Sequence, residues 1–425
     1  MSLKVSLHNG LPQYSGNESV SGLVTLQCFK PLEVEEVRLT FTGLTEAKIQ
    51  KVKGSAAPSG SYRSKCILFE KDIILSHTEG QPFNTGIYSW PFELVFPSST
   101  EPQLKETKWP VAAPFRSDSK HPLPPTFAAQ VEDASRKLKC SIGYRIHAQV
   151  FKPSSGFMKN NSEFLSDTIW LQFRPPLSKF DMLDAENYER IIRHQKEQTF
   201  HLRSMLLHQE HSGKVLGLQE KFSSWLSPNR LPQFSFKVSF SYPARVGQSM
   251  PLSCFLDIIP LMGDSSVSSP PVTLLQSLHI TLVSRTSARS GPSIMGKMSG
   301  EVDERMIILS TSSLNIMVSG TVDLTAKFGP LVFRPTPVSF GTYNISRTYR
   351  LCVSAQFECV GKVLEFQAPD MPVEIIPQTQ GNEDRARVRP ELSYNDNPPV
   401  YTPSPAGIES AESPQDMKRD GDAQL

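Results

Sequence analysis

Cysteine is scarce in this chain, and long apolar runs are absent from it. The 425 residues hold 6 cysteines, Cys28, Cys66, Cys140, Cys254, Cys352 and Cys359, with no C-x-x-C pair among them. That is too few for a disulfide scaffold and leaves reduced, buried thiols as the expectation. No stretch reaches the ~18 consecutive apolar residues of a membrane-spanning helix, and the opening MSLKVSLHNG lacks the apolar core of a secretion signal. A cytoplasmic protein is therefore expected, in which Asn17, Asn160 and Asn344 stay unmodified despite the Asn-x-Ser pattern at each. Charge of one sign is not in excess either, the net being +2. Residues 381–425 carry nine acidic and five basic side chains, a net of −4, so the rest of the chain is +6. A mild excess spread over a large body does not imply nucleic acid, but it permits contact with an acidic membrane surface or phosphorylated segments.

Signatures of catalysis are missing as well. There is no Gly-x-Ser-x-Gly elbow and no His-Glu-x-x-His pair. Gly291-Pro-Ser-Ile-Met-Gly296-Lys297 has the spacing of a phosphate-cradling loop. Met298 follows where a Mg²⁺-binding hydroxyl is required, however, and Gly300 with its acidic successors does not open a helix, so a loop between strands is expected. His194, His201 and His208 recur every seven residues, but seven residues of helix advance ~10.5 Å, too far for one ion to join neighbours. His208 and His211 are close enough to chelate together, yet nothing supplies their missing ligands. No metal, no cofactor and no catalytic residue is assigned.

What the chain has in quantity is proline, 35 residues, and alternation. Val20, Gly22, Val24 and Leu26 alternate with Ser21, Leu23, Thr25 and Gln27, and after Lys30-Pro31-Leu32 the pattern resumes at Val34, Val37, Leu39 and Phe41. Period two puts one side of each run on a core, so these are half-buried strands turning where Pro31 cannot donate to a ladder. Ile67 to Leu75, Tyr88 to Pro97 with Trp90, Phe92, Leu94 and Phe96, Leu123 to Phe127, Cys140 to Val150 and Thr168 to Phe173 extend the series. Eight or so strands with turns between them and no convincing helix before residue 180 predict a β-sandwich.

A second series opens at Phe234-Ser-Phe236-Lys-Val238-Ser-Phe240. It continues through Leu252 to Ile259, Val272 to Val283, Met306 to Leu309, Leu314 to Val318, Thr342 to Val353 and Val363 to Ile376. Between the two series lies the one helical signal. Tyr188, Ile191, Ile192 and Gln195 recur at three and four residues over Asp184 to Gln198, predicting an amphipathic helix, with Thr199 to Leu207 open between helix and strand. A second short helix is predicted at Leu216 to Leu226, ending before Pro228. The helices read as a connector packed on the sandwiches, with contact to a membrane surface as the other reading. The resulting organisation is a sandwich over 1–178, a partly helical connector over 179–230, a second sandwich over 231–377 and a disordered tail over 378–425.

In the tail, Tyr394-Asn-Asp-Asn-Pro398-Pro399-Val400-Tyr401-Thr402-Pro403 carries the sharpest binding motif. Paired prolines favour polyproline II, which presents ring faces to an aromatic groove at little ordering cost, and Tyr401 fills the adjacent pocket. Pro-Pro-x-Tyr is the motif that WW domains read, through Pro398, Pro399 and Tyr401. Thr402, Ser404 and Ser413 each precede proline and are candidate phosphorylation sites beside it. Leu11-Pro12-Gln13-Tyr14 is a weaker relative whose Tyr14 enters a strand and is read as structural.

Tyr14 and Gly16, Val20-Ser-Gly22-Leu-Val24, Pro31-Leu32-Glu-Val34 and Leu39-Thr-Phe41-Thr-Gly43 together resemble the opening of an arrestin N-terminal domain. The aromatic run ending Phe96-Pro97, Leu-Pro-Pro-Thr-Phe at 123–127 and Tyr144-x-Ile146-x-Ala148-x-Val150 follow in the order seen in the α-arrestins of fungi, a group of trafficking adaptors. The resemblance implies an all-β arrestin fold of two tandem immunoglobulin-like sandwiches and no enzymatic activity. It further implies an adaptor at the plasma membrane and endosomes. The sandwiches would hold the cytosolic segments of a transporter or receptor, while the tail recruits a WW-domain HECT ubiquitin ligase, so that cargo is ubiquitinated and endocytosed. Many relatives carry several Pro-Pro-x-Tyr copies; this chain has one clear copy, which puts avidity for a multi-WW ligase in question. Arg136, Lys137 and Lys139 are the candidate contacts to acidic or phosphorylated cargo, against the plainer reading of a solvated strand end. The rival reading is a structural sorting scaffold on the same fold, of the endosomal-coat kind, that recruits no ligase.

Overall fold

The computed structural model describes residues 1–8, 10, 13–51, 61–78, 82–101, 111–153, 163–176, 192–208, 231–248, 250–293, 296–334 and 336–377. In chain order the first eight strands are β1 (Ser2–Leu7), β2 (Ser19–Cys28), β3 (Glu36–Lys51), β4 (Ser61–His77), β5 (Gly86–Val95), β6 (Phe127–Glu132), β7 (Arg136–Phe151) and β8 (Glu163–Leu171). They make two sheets, β1-β2-β5 and β4-β3-β7-β6, with β8 pairing the far half of β7. Alternation sets the buried faces as the period-two pattern predicts: Val20, Gly22, Val24, Leu26 and Cys28 on β2, and Leu138 to Val150 at every second residue on β7. The strand expected at Leu123–Phe127 begins instead at Phe127, because Pro124 and Pro125 have no N–H for a ladder.

Between these sheets lies an aromatic core. The Phe96 ring is 4.9 Å from Phe41, 5.2 Å from Phe173, 5.5 Å from Tyr14 and 5.6 Å from Tyr144 by centroids. Tyr144 is fully buried, and its hydroxyl donates to the Pro124 carbonyl at 2.6 Å. Tyr14 is 2 % exposed and forms a parallel bridge with Phe173, so its ring is a core group.

The next strands are β9 (Arg193–Arg203), β10 (Gln233–Pro243), β11 (Arg245–Gly247), β12 (Phe255–Pro260), β13 (Thr273–Ser293), β14 (Gly296–Thr311), β15 (Ile316–Met317), β16 (Gly320–Asp323), β17 (Phe340–Gly341), β18 (Ile345–Cys359) and β19 (Lys362–Ile376), with one short helix, α1 (Leu324–Phe328). They form the sheets β16-β12-β10-β9 and β11-β19-β18-β13-β14, with β15 on β13 and β17 on β18. The core between them includes Phe234, Phe236, Val238 and Phe240 of β10 with Leu351, Phe357 and Phe366 from the facing sheet.

The helix expected over Asp184–Gln198 is corrected here. Its described part, from Arg193, is strand β9, which runs antiparallel to the whole of β10, Gln233 opposite Arg203 and Pro243 opposite Arg193. Eleven residues of β10 would otherwise present an unpaired edge, and Phe200 and Leu202 alternate into the core, so the tertiary ladder overrides the local three-and-four spacing. Residues 193–203 thus belong to the second sandwich rather than to a connector. The helix expected at Leu216–Leu226 lies outside the described residues, as does the whole of 378–425.

The two sandwiches meet through a buried polar seam. Asn344 and Thr45 are both 0 % exposed; the Thr45 hydroxyl donates to Asn344 Oδ1 at 2.6 Å, and Asn344 Nδ2 donates to Ser64 Oγ at 3.0 Å. Ser64 Oγ donates in turn to the Arg289 carbonyl at 2.8 Å, and the Arg289 guanidinium lies 4.6 Å from the Phe115 ring. Ala288, Val302 and Ile345 extend the core of the first sandwich from the second.

His121 lies at this seam. It is 2 % exposed, its Nδ1 is 3.2 Å from the Asp118 carbonyl, its ring meets Tyr343 edge-on at 4.8 Å, and its Nε2 has no partner among the described residues. Burial lowers its pKa below the usual 6.5. The neutral ring is the folded form, so the unfolded chain takes the proton first. Its contribution is complete above about pH 6.5 and falls as pH drops through that value towards the lower folded pKa, at up to ~1.4 kcal/mol per pH unit. Urea midpoints measured at pH 7.5 and 5.5 are expected to fall together more steeply for the native chain than for His121→Gln; parallel declines would remove His121 as the cause.

Candidate functional site: a basic row on the first sandwich

Strand β7 opens Arg136-Lys137-Leu138-Lys139-Cys140. Alternation sends Leu138 and Cys140 into the core, with Lys137 and Lys139 on the opposite, outer face. The three candidate cations therefore do not form one patch. Arg136 shares the Leu138 side and lies against the second sandwich, its Cδ 3.3 Å from where a Cβ on Gly300 would stand. Lys137 pairs with Glu132 of β6 at 3.0 Å. Lys139 is exposed and points outward.

Register supplies what the sequence could not. Lys139 stands opposite Lys48 of β3, and Lys48 stands opposite Arg63 of β4. The three cations form one row across three neighbouring strands, about 10 Å in span. None of them has an ion pair with another described residue. The flanking rows do: Lys65 meets Glu46 at 3.8 Å, and Lys137 meets Glu132. Like charges directly opposite destabilise a sheet; at ~5 Å in water each neighbouring pair costs roughly 0.8 kcal/mol. An anion carrying two charges and placed over Lys48 turns that repulsion into attraction, so the arrangement suits an acidic or phosphorylated extended segment.

Nothing in the described residues suggests a nucleophile. All six cysteines lie among the described residues, and all but Cys352 are buried. Burial pushes the thiols of Cys140 and Cys254 up to about 12, which keeps them protonated. Gly291–Lys297 falls at the end of the β13–β14 hairpin, where Ser293 pairs Gly296, and not between a strand and a helix. On strand β9, His194 and His201 point to opposite faces some 23 Å apart, and among the described residues no three His, Cys, Asp or Glu side chains converge for a metal. No described helix is long and apolar enough to cross a membrane. Pro398, Pro399 and Tyr401, with Thr402, Ser404 and Ser413, lie outside the described residues, as does His211.

Residues 3–165 match the family model of the arrestin (or S-antigen) N-terminal domain. The match takes in 163 of the 425 residues and includes Lys48, Arg63 and Lys139. No curated protein matches the chain.

Proposed function

We propose that the chain is a trafficking adaptor of the α-arrestin kind, which holds cargo on its first sandwich and a ubiquitin ligase on its tail. The reading rests on the row Arg63, Lys48 and Lys139 on the outer face of an arrestin N-terminal domain. Three in-line cations, opposed by no carboxylate among the described residues, fit the acidic or phosphorylated cytosolic segments of a transporter or receptor. Pro398, Pro399 and Tyr401 are the ligase-recruiting element, read by a WW domain of a HECT ligase. Holding both partners on one chain raises the ligase's effective concentration at cargo lysines, with endocytosis as the outcome. The work takes place at the cytosolic face of the plasma membrane and endosomes, with peripheral membrane association, and needs neither cofactor nor catalysis by the chain itself. Phosphorylation at Thr402, Ser404 or Ser413 adds negative charge beside the motif and alters ligase binding.

Two variants, one single and one double, separate the two halves of this reading. Tyr401→Ala is expected to abolish micromolar binding of isolated HECT-ligase WW domains to the full chain and to leave binding of a phosphorylated cargo-tail peptide unchanged. Lys48→Glu with Lys139→Glu is expected to do the reverse, weakening the phosphopeptide at least tenfold. WW binding indifferent to Tyr401 would turn the reading towards the sorting scaffold, and phosphopeptide binding indifferent to the double variant would remove the basic row as the cargo surface.

A further inference from the structure

At the end of the second sandwich remote from the first, two sheets bring donors together. β18 runs from Ile345, in the shared core, to Cys359, a rise of about 45 Å. There it turns into β19 through Val360 and Gly361, at φ 46° and 71°. Cys359 pairs Lys362 across these two residues, the form of a tight hairpin with both central residues left-handed, and the turn delivers Lys362 to the sheet end. Across from it, in the other sheet, β9 ends at Arg203 opposite Gln233.

The side chains are held rather than loose. Lys362 Nζ donates to the Arg203 carbonyl at 2.8 Å, tying one sheet to the other. Arg203 Nε donates to Gln233 Oε1 at 3.1 Å, and Gln233 Nε2 is itself anchored on the Asp264 carbonyl at 3.1 Å. His201 places Nδ1 2.8 Å from Ser235 Oγ, which fixes its ring against β10. His201, Arg203, Gln233 and Lys362 line an open cleft of about 570 Å³, within the ~300–1,000 Å³ range of small-ligand sites.

We propose that this cleft binds a phosphate group carrying two negative charges. The guanidinium fork and the ammonium provide two fixed positive charges, and the imidazole adds a further ring nitrogen to the cleft. No carboxylate lines the cleft among the described residues. Gln233 is a positioning residue: its amide is engaged in holding Arg203 and Asp264. The site is distinct from the cargo row and does not depend on the adaptor reading. The same chemistry fits a soluble phosphate compound or a phosphomonoester lipid headgroup.

The test uses the full chain and two probes. Inorganic pyrophosphate is titrated by calorimetry, and vesicles of phosphatidylcholine with one part in ten of phosphatidic acid are used in co-sedimentation. Saturable pyrophosphate binding is expected, weakened about tenfold by Lys362→Gln, which retains a donor for the Arg203 carbonyl, and by Arg203→Gln. Lys327→Gln, on α1 and away from the cleft, is expected to leave it unchanged. Vesicle binding lost with the same two substitutions assigns the site to a headgroup; vesicle binding absent or indifferent to them assigns it to soluble phosphates. Absence of saturable pyrophosphate binding, insensitivity to Lys362→Gln, or an equal loss in Lys327→Gln overturns the proposal.

Discussion

Phe96→Ala is expected to destabilise the first sandwich by about 3–5 kcal/mol. Phe96 is 0 % exposed and touches four other rings, Tyr14, Phe41, Tyr144 and Phe173, contributed by separate segments. Truncation removes both the transfer free energy of the ring and its contacts. The surrounding rings cannot collapse far, because Gly43 already lies against Phe69 and Tyr144: a Cβ there would stand 2.7 Å and 2.9 Å from those rings. Urea unfolding followed by near-ultraviolet circular dichroism checks the value. A loss below about 1 kcal/mol would mean that the aromatic cluster is not the centre of this core. Because cargo is proposed to bind the outer face of the facing sheet, which supplies Phe41 and Tyr144 to this cluster, the variant is expected to lose phosphopeptide binding at temperatures where WW binding through the tail persists.

Asn344→Leu is expected to cost about 2–4 kcal/mol through a different mechanism. The substitution keeps the volume at a site that is 0 % exposed but removes the acceptor for Thr45 Oγ1 and the donor to Ser64 Oγ. Each buried polar atom left without a partner costs ~1–3 kcal/mol. The double variant Asn344→Leu with Thr45→Val removes the hydroxyl that loses its 2.6 Å acceptor, while Ser64 Oγ keeps the Arg289 carbonyl, so it is expected to recover about 1 kcal/mol relative to the single variant. A double-mutant cycle on urea midpoints reads this coupling directly. Strict additivity would show that the seam is held by apolar contact at Ala288, Val302 and Ile345 instead.

Of the proposed sites, the tail motif is read from the sequence alone, since the recognition proposed for Pro398, Pro399 and Tyr401 depends on a short contiguous conformation. The basic row was legible only in Lys139. Lys48 and Arg63 lie far from it in sequence, and their convergence depends on which strands pair and in what register. Arg136 shows the converse: adjacent in sequence to Lys137, it faces the other way because neighbouring strand residues point to opposite sides. The cleft at the remote end had one partial signal, the histidine series through His201, whose seven-residue spacing excluded a shared metal and gave no sign of the partners Arg203 and Lys362.

Local alternation determined the strands and their inward faces. The runs at Val20–Cys28, Leu138–Val150 and Phe234–Phe240 carry their burial in their own spacing, because side-chain direction in a strand repeats every two residues wherever the strand is placed. Tertiary structure alone decided the state of Arg193–Arg203, the membership of the basic row and the polar seam between the sandwiches. At Arg193–Gln198 the local spacing favoured a helix and from Thr199 it left helix and strand open, and the unpaired edge of β10 decided for a strand by offering a ladder to eleven residues. The row and the seam unite residues as distant as Thr45 and Asn344. Such contacts arise from pairing and packing between segments, and no periodicity within one segment encodes them.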